Sequence, residues 1–239
     1  MHSVPEFEYL TELRRLDIIR ARNLSSLREM RFLSKLRRFR MHGLQTLTSL
    51  WGLHGLSKLN TIYLGESSVK SLDTLGPLPG LKDLGIGYGM HHLYGLERYK
   101  TLERLDLEDV ESIQGVQYLP NLRFLRLSGA EFTTLESLRG LPRLEELEVM
   151  WGQFDTLKGL GALQSLERLK LGHSEVSVLT ELEALKRLKE IWLYSADVDN
   201  VEGELPASLE TIRIVPGGSW PDTVVLPSGC RILRPSVNV

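Results

Sequence analysis

A chain of 239 residues with Lys+Arg 29 against Asp+Glu 31 is nearly neutral, which argues against a general polyanion binder with its basic excess. Aromatic residues are only 7% of it and leucine dominates the apolar set, so aliphatic layers rather than aromatic clusters must form the core. Cys230 is the single cysteine, so no intramolecular disulfide can staple the fold, and no stretch of about 18 apolar residues offers a membrane span.

The N-terminal residues MHSVPEFEYLTELRR hold no apolar run of signal-peptide length. With the unpartnered thiol, this points to a reducing, cytoplasmic setting. From residue 13 onward one pattern recurs. Leu122, Leu125 and Leu127 spell L-x-x-L-x-L, and Leu135, Leu138 and Leu141 follow at every third residue. The first leucine of each copy falls at Leu13, Leu36, Leu59, Leu81, Leu102, Leu122, Leu144, Leu166, Leu188 and Leu209. A degenerate copy follows, with Cys230 in the first slot and Leu233 in the fourth.

Each L-x-x-L-x-L ends in period-two alternation, which predicts short strands near 13–18, 36–41, 59–64, 81–86, 102–107, 122–127, 144–149, 166–171, 188–193 and 209–214. Leucine at every third residue suits tight helical turns, where i and i+3 eclipse. One such unit cannot enclose its own leucines; stacked neighbours bury them. Pro79, Pro120 and Pro142 precede a phase leucine by two residues, where a missing N–H is tolerated. The segment 215–239 gathers Pro216, Pro221, Pro227 and Pro235 with Gly217, Gly218 and Gly229, and reads as an irregular cap.

These units, in phase over almost the whole chain, resemble the leucine-rich repeat family in its class of about 22 residues, shared by internalin-like bacterial proteins. The resemblance implies an α/β fold: a single domain over 1–239, a right-handed horseshoe with a parallel concave sheet and short helical or 3-10 convex segments. The family's asparagine at position nine is missing here: Ala21, Leu44, Ser67, Gly89, Val110, Ala130, Gly152, Ser174, Ala196 and Gly217 stand there, so the turns must be satisfied by backbone or water. The pieces LRLSGAEFTTLESL and LGESSVKSLDTL are similar to the small-residue turns of bacterial repeats, including the sensor regions of NACHT/NLR-like receptors. That likeness, with the short lead-in before the first repeat, implies a region of a longer chain with upstream domains.

Positions two, three, five, seven and eight of each unit are free of core duty and look outward from the concave side. They present Arg38 and Arg40, then Tyr63 and Tyr88, then Phe124 and Arg126, then Glu148, Met150 and Trp151, and finally Trp192 and Tyr194. Tyr, Trp and Arg dominate interface energetics, so these are the candidate protein-binding residues. Trp151, Trp192, Tyr194 and Met150 would form one cluster, unless a tryptophan at position eight folds back on the loop edge. At position five Asp106, Arg126, Glu148 and Lys170 alternate in sign and can pair across strands, or simply keep the face soluble.

Motifs for catalysis, metal and cofactors lead nowhere specific. His91-His92 lacks the spacing of a metal motif. Gly85-Ile86-Gly87-Tyr88-Gly89 falls short of G-x-G-x-x-G and reads as a smooth patch open to a partner's backbone. Cys230 reads as an unreactive core thiol. Ten basic and five acidic side chains precede residue 43, which leaves the remainder of the chain at about −7. That basic end is a solvated face, a guide for an acidic protein patch near the N-terminal repeats, or, least favoured, a nucleic-acid contact. The expectation is a non-catalytic module that binds a protein or peptide on its concave face, with no cofactor and no membrane contact. It would be the recognition region of a larger receptor, or a free-standing adaptor, inhibitor or regulatory subunit.

Overall fold

A computed structural model describes residues 7–88, 90, 92–129 and 134–234; Gly89, His91, Ala130 and Pro235 lie outside them. The chain forms two compact units, Met1–Leu119 and Pro120–Val239.

In the first unit, β1 (Arg15–Ile19), β2 (Arg38–His42), β3 (Thr61–Leu64), β4 (Asp83–Ile86) and β5 (Arg104–Glu108) pair in parallel in chain order. Equal repeat positions face each other: Phe39 is opposite Ile62, and Arg40 opposite Tyr63. Each repeat position therefore becomes a column across the sheet. Phe39 and Met41 point into the core while Arg38 and Arg40 between them point out, as the strand pleat requires. Short 3-10 turns at Phe7–Tyr9, Arg28–Phe32, Trp51–Leu53, Leu96–Arg98 and Val116–Tyr118 carry the return segments. Leu44, Leu47, Leu50 and Leu53 recur every third residue and are all fully buried. Only Leu53 lies in a 3-10 segment; single turns such as Leu47 N–H to the Leu44 carbonyl at 3.0 Å bring the others round to the same side, where the neighbouring repeats cover them. Leu16 and Ile18, on the strand paired to β2 alone among the described residues, and Leu13 just before it are only half-buried.

The second unit holds β6 (Phe124–Ser128), β7 (Glu146–Met150), β9 (Arg168–Gly172), β11 (Glu190–Tyr194), β13 (Thr211–Val215) and β14 (Arg231–Leu233) as parallel neighbours in that order. The intervening segments form strands of their own. β8 (Gln153–Thr156), β10 (Glu175–Leu179) and β12 (Asp197–Val201) make a second parallel sheet with β10 in the middle. The sequence reading predicts no strand here, only short helical or 3-10 convex segments. Phe154, Val176 and Val198 are the buried members of its period-two alternation, with Gln153, Glu175 and Asp197 before them.

From β1 to β13 each main-sheet strand begins two residues past its phase leucine, and most end in the same turn. Among the described residues, position eight is left-handed at Arg20, Gly43, Glu66, Asp109, Gly129, Trp151, His173 and Ser195. This reversal turns the N–H of the residue toward the next strand: Arg20 donates to the His42 carbonyl at 2.8 Å, Trp151 to Gly172 at 2.8 Å and His173 to Tyr194 at 2.7 Å. A backbone ladder thus does what an asparagine column would do. Ser174 helps locally: its buried hydroxyl donates to the Gly172 carbonyl at 2.8 Å and accepts from the Gly152 N–H at 3.3 Å.

The last repeat corrects the reading of its phase. Thr211 pairs with Arg231, Ile212 with Ile232 and Arg213 with Leu233. Cys230 is therefore at position two, half-buried, and not in the first core slot. Ile232 takes the fourth slot, and Leu233 faces outward beside Arg213. The hydrogen-bond ladder sets register, and a one-residue offset moves every side chain to the opposite face. Burial raises the Cys230 thiol above its ordinary pKa, so it stays protonated and a poor nucleophile.

Candidate functional site

In each unit, positions three, five and seven of the strands line the outward face of the main sheet. In the first unit the middle of this face belongs to Tyr63. Its ring lies across Gly85 on the next strand: a β-carbon there would sit 2.3 Å from Tyr63 Cδ2. The hydroxyl reaches Glu108, 3.4 Å from each carboxylate oxygen, and the Arg40 guanidinium is 5.1 Å from the ring centre. Burial, together with the charges of Glu108 and Asp106, raises the phenol pKa. The expected smooth glycine patch is therefore occupied at Gly85, where the missing side chain leaves room for the Tyr63 ring to lie across the strand. His42 does the same over Gly65, and its imidazole stands 3.6 Å from Glu66. Tyr88, at position eight of the fourth repeat, is exposed.

In the second unit the outward face is organised around Trp192. It stacks on Tyr194 with ring centres 5.7 Å apart, and its indole N–H donates to Glu190 Oε2 at 2.7 Å. Along the position-five column, the Lys170 ammonium is 5.6 Å from the ring centre and the Arg213 guanidinium 4.8 Å. Each contact of this kind contributes about 0.5–2 kcal/mol, less where water reaches it. Lys170 is also bound to Glu146 at 2.6 Å, and Arg168 to the other oxygen of the same carboxylate at 2.9 Å. Burial pushes the Glu146 pKa up, but the two cationic hydrogen bonds outweigh it, and the net shift is down. Arg126 stands 3.9 Å from Glu148.

Two expectations about this face change. Phe124 and Met150, read as free outward side chains, are both buried. Met150 lies over Gly172, where a β-carbon would meet its Cε at 2.3 Å; the thioether fills the space that a glycine at position seven leaves. Trp151 also stands apart from the Trp192–Tyr194 stack. The left-handed backbone at position eight swings it onto the loop edge, where it stacks on His173 at 3.9 Å with planes 7° apart and remains exposed. The single cluster expected from sequence is thus two: a strand-borne pair, Trp192–Tyr194, and an edge pair, Trp151–His173.

Arg213, Glu190 and His173 were missed. Extending the position-five column by one unit, from Trp192 to position five after Leu209, would have found Arg213. Its Nε–H is buried and meets no acceptor, an arrangement that costs about 1–3 kcal/mol unless something else supplies one.

The basic N-terminal repeats spend part of their charge internally. Arg15 pairs with Asp17 at 2.8 Å, Lys35 pairs with Glu12, and Arg31 lies 4.7 Å from the Phe32 ring centre. Arg38, at position three of β2, is exposed. Among the described residues, no group of three or more His, Cys, Asp or Glu side chains could hold a metal ion, and no helix is long and apolar enough to cross a membrane.

No protein-family model matches the sequence, and comparison with curated proteins finds no match. Similarity appears among solved structures. Internalin C2 from Listeria monocytogenes matches 77% of this chain and 82% of its own at 19% identity, with a TM-score of 0.58. A leucine-rich repeat protein of Leptospira interrogans matches 88% of this chain and 63% of its own at 18% identity, TM-score 0.56. Human 5T4, a trophoblast glycoprotein, matches 80% and 79% at 19% identity, TM-score 0.55. At these identities the likeness is one of fold: parallel strands at equal repeat positions, joined by short 3-10 segments, make this a leucine-rich repeat structure.

Proposed function

We propose that the strand face of this leucine-rich repeat chain is a non-catalytic binding surface for a protein or peptide. The observation that carries this reading is the Trp192–Tyr194 stack, two large half-buried rings on β11 that take no part in the core. Parallel strands pair with β11 on both sides, so the rings are held rigidly, as a recognition site requires. Such amphipathic aromatics supply most of the binding energy where they occur in interfaces. Further along the strand faces, Tyr63, Arg38, Arg40, Arg126 and Glu148 would set orientation, and Tyr88 and Trp151 would extend the contact at the edge. In the concave wall that the resemblance implies, these columns would line the inside.

The finer reading is the recognition region of a larger intracellular, NACHT/NLR-like bacterial receptor, with an acidic partner surface met by the N-terminal arginines. Its support is the small-residue turns and the basic residues of the first repeats. Selection of binders from a displayed random-peptide library on the immobilised chain tests the general reading. Trp192→Ala should weaken the selected binders about tenfold or more while the melting temperature stays nearly constant. Binders indifferent to Trp192→Ala and Tyr194→Ala, or a library that yields none, would overturn it.

A further inference from the structure

We propose that Arg213 is a carboxylate-binding position: whatever docks over Trp192 and Tyr194 presents an acidic group to it, beside an apolar or aromatic residue that meets the rings. The inference rests on the binding-face reading above and names the chemistry of its ligand.

The neighbouring carboxylates are already engaged. Glu146 is held by Arg168 and Lys170, Glu148 faces Arg126, and Glu190 accepts the indole N–H of Trp192. Arg213 has no such counterpart: no carboxylate stands within ion-pair distance among the described residues, and its Nε–H is buried without an acceptor. The guanidinium is nonetheless held in place, 4.8 Å from the Trp192 ring centre. A ring restrains an arginine without neutralising it, so the charge stays unpaired, and the two terminal Nη groups, unlike the buried Nε–H, are the donors that a docking carboxylate would meet. The next strand adds no acid. The outward residue opposite Thr211 is Arg231, and opposite Arg213 it is the exposed Leu233. Positive charge beside two aromatic rings and an exposed leucine complements an acidic side chain next to an apolar one. Arginine in particular offers parallel N–H groups that match a carboxylate, which a lysine at the same place would not.

The bland alternative is that Arg213 only covers Trp192. It predicts a stability loss on substitution and no acidic preference in the ligand. The peptides selected on the full chain separate the two. Binders should carry Asp or Glu at a constant spacing from an apolar residue, and Arg213→Gln should weaken them about tenfold or more. Changing that Asp or Glu to its amide should cost as much in the wild-type chain and almost nothing in Arg213→Gln. Arg213→Lys should recover only part of the loss. Synthetic peptides with free and amidated C-termini identify the source: if amidation alone removes binding, the recognised group is a terminal carboxylate, otherwise a side chain. Binders that have no acidic residue and keep their affinity when the C-terminus is amidated, or a carboxylate-to-amide change equally costly in both proteins, would overturn the proposal. If Trp192→Ala abolishes binding and Arg213→Gln does not, only this inference fails. If neither substitution matters, the binding-face reading fails with it.

Discussion

Tyr63 fills the space above Gly85, and the glycine is there because the ring is. A β-carbon at residue 85 would meet the ring Cδ2 at 2.3 Å. Gly85→Ala should therefore lift the ring, break its contacts with Glu108 and Arg40, and destabilise the chain by about 1–2 kcal/mol. Paired chemical denaturation of Gly85→Ala and of Gly85→Ala in a Tyr63→Ala background checks this. The loss should largely vanish in the double variant, where no ring remains to displace; an equal loss in both would show that the clash is not its origin.

Leu125, on β6, occupies the fourth position of its repeat and is fully buried. Leu125→Ala should cost about 2–5 kcal/mol, because the stacked repeats on either side cannot close the cavity. Arg126→Ala, one residue on and facing out, should cost under about 1 kcal/mol, since its ion pair with Glu148 is long and partly exposed. Urea denaturation of both variants measures the contrast; similar losses would contradict the assignment of faces.

Tyr99 gives the chain an alkaline limit. It is fully buried, its hydroxyl donates to the Gly76 carbonyl at 2.9 Å, and burial raises its pKa from 10.0 to about 12. The unfolded phenol ionises first as pH rises, so this contribution is complete below pH 10 and is lost between there and about 12. The full loss is on the order of 2–3 kcal/mol. Tyr99→Phe should be about 1 kcal/mol less stable at neutral pH, where it leaves the carbonyl unpaired, yet show a shallower decline above pH 10. Parallel decline of the two proteins through that window would rule Tyr99 out as the titrating group.

The leucine columns were legible because burial demands one residue type at fixed intervals, and repetition fixes the phase: Leu44, Leu47 and Leu50 could sit nowhere but inside. Strand polarity, the 3-10 returns and the outward direction of Arg126, Trp192 and Tyr194 follow from the same periodicity. The second sheet escaped notice because β8 and β12 each bury a single side chain, Phe154 and Val198, and β10 buries Val176 and Leu179, in runs too short to separate from the convex segments.

What the sequence alone determined is the repeat: its length, its phase and the list of residues not needed by the core. Periodicity is a property of the chain itself, and hydrophobic burial acts on it in every copy alike. Only the tertiary structure decided what those spare residues do. It laid Tyr63 on Gly85 and Met150 on Gly172, moved Trp151 to the edge, shifted the last repeat so that Leu233 points out, and set Arg213 against Trp192 without an acid. These outcomes depend on which side chain of one repeat meets which of the next, and that is fixed by strand register and backbone handedness in three dimensions.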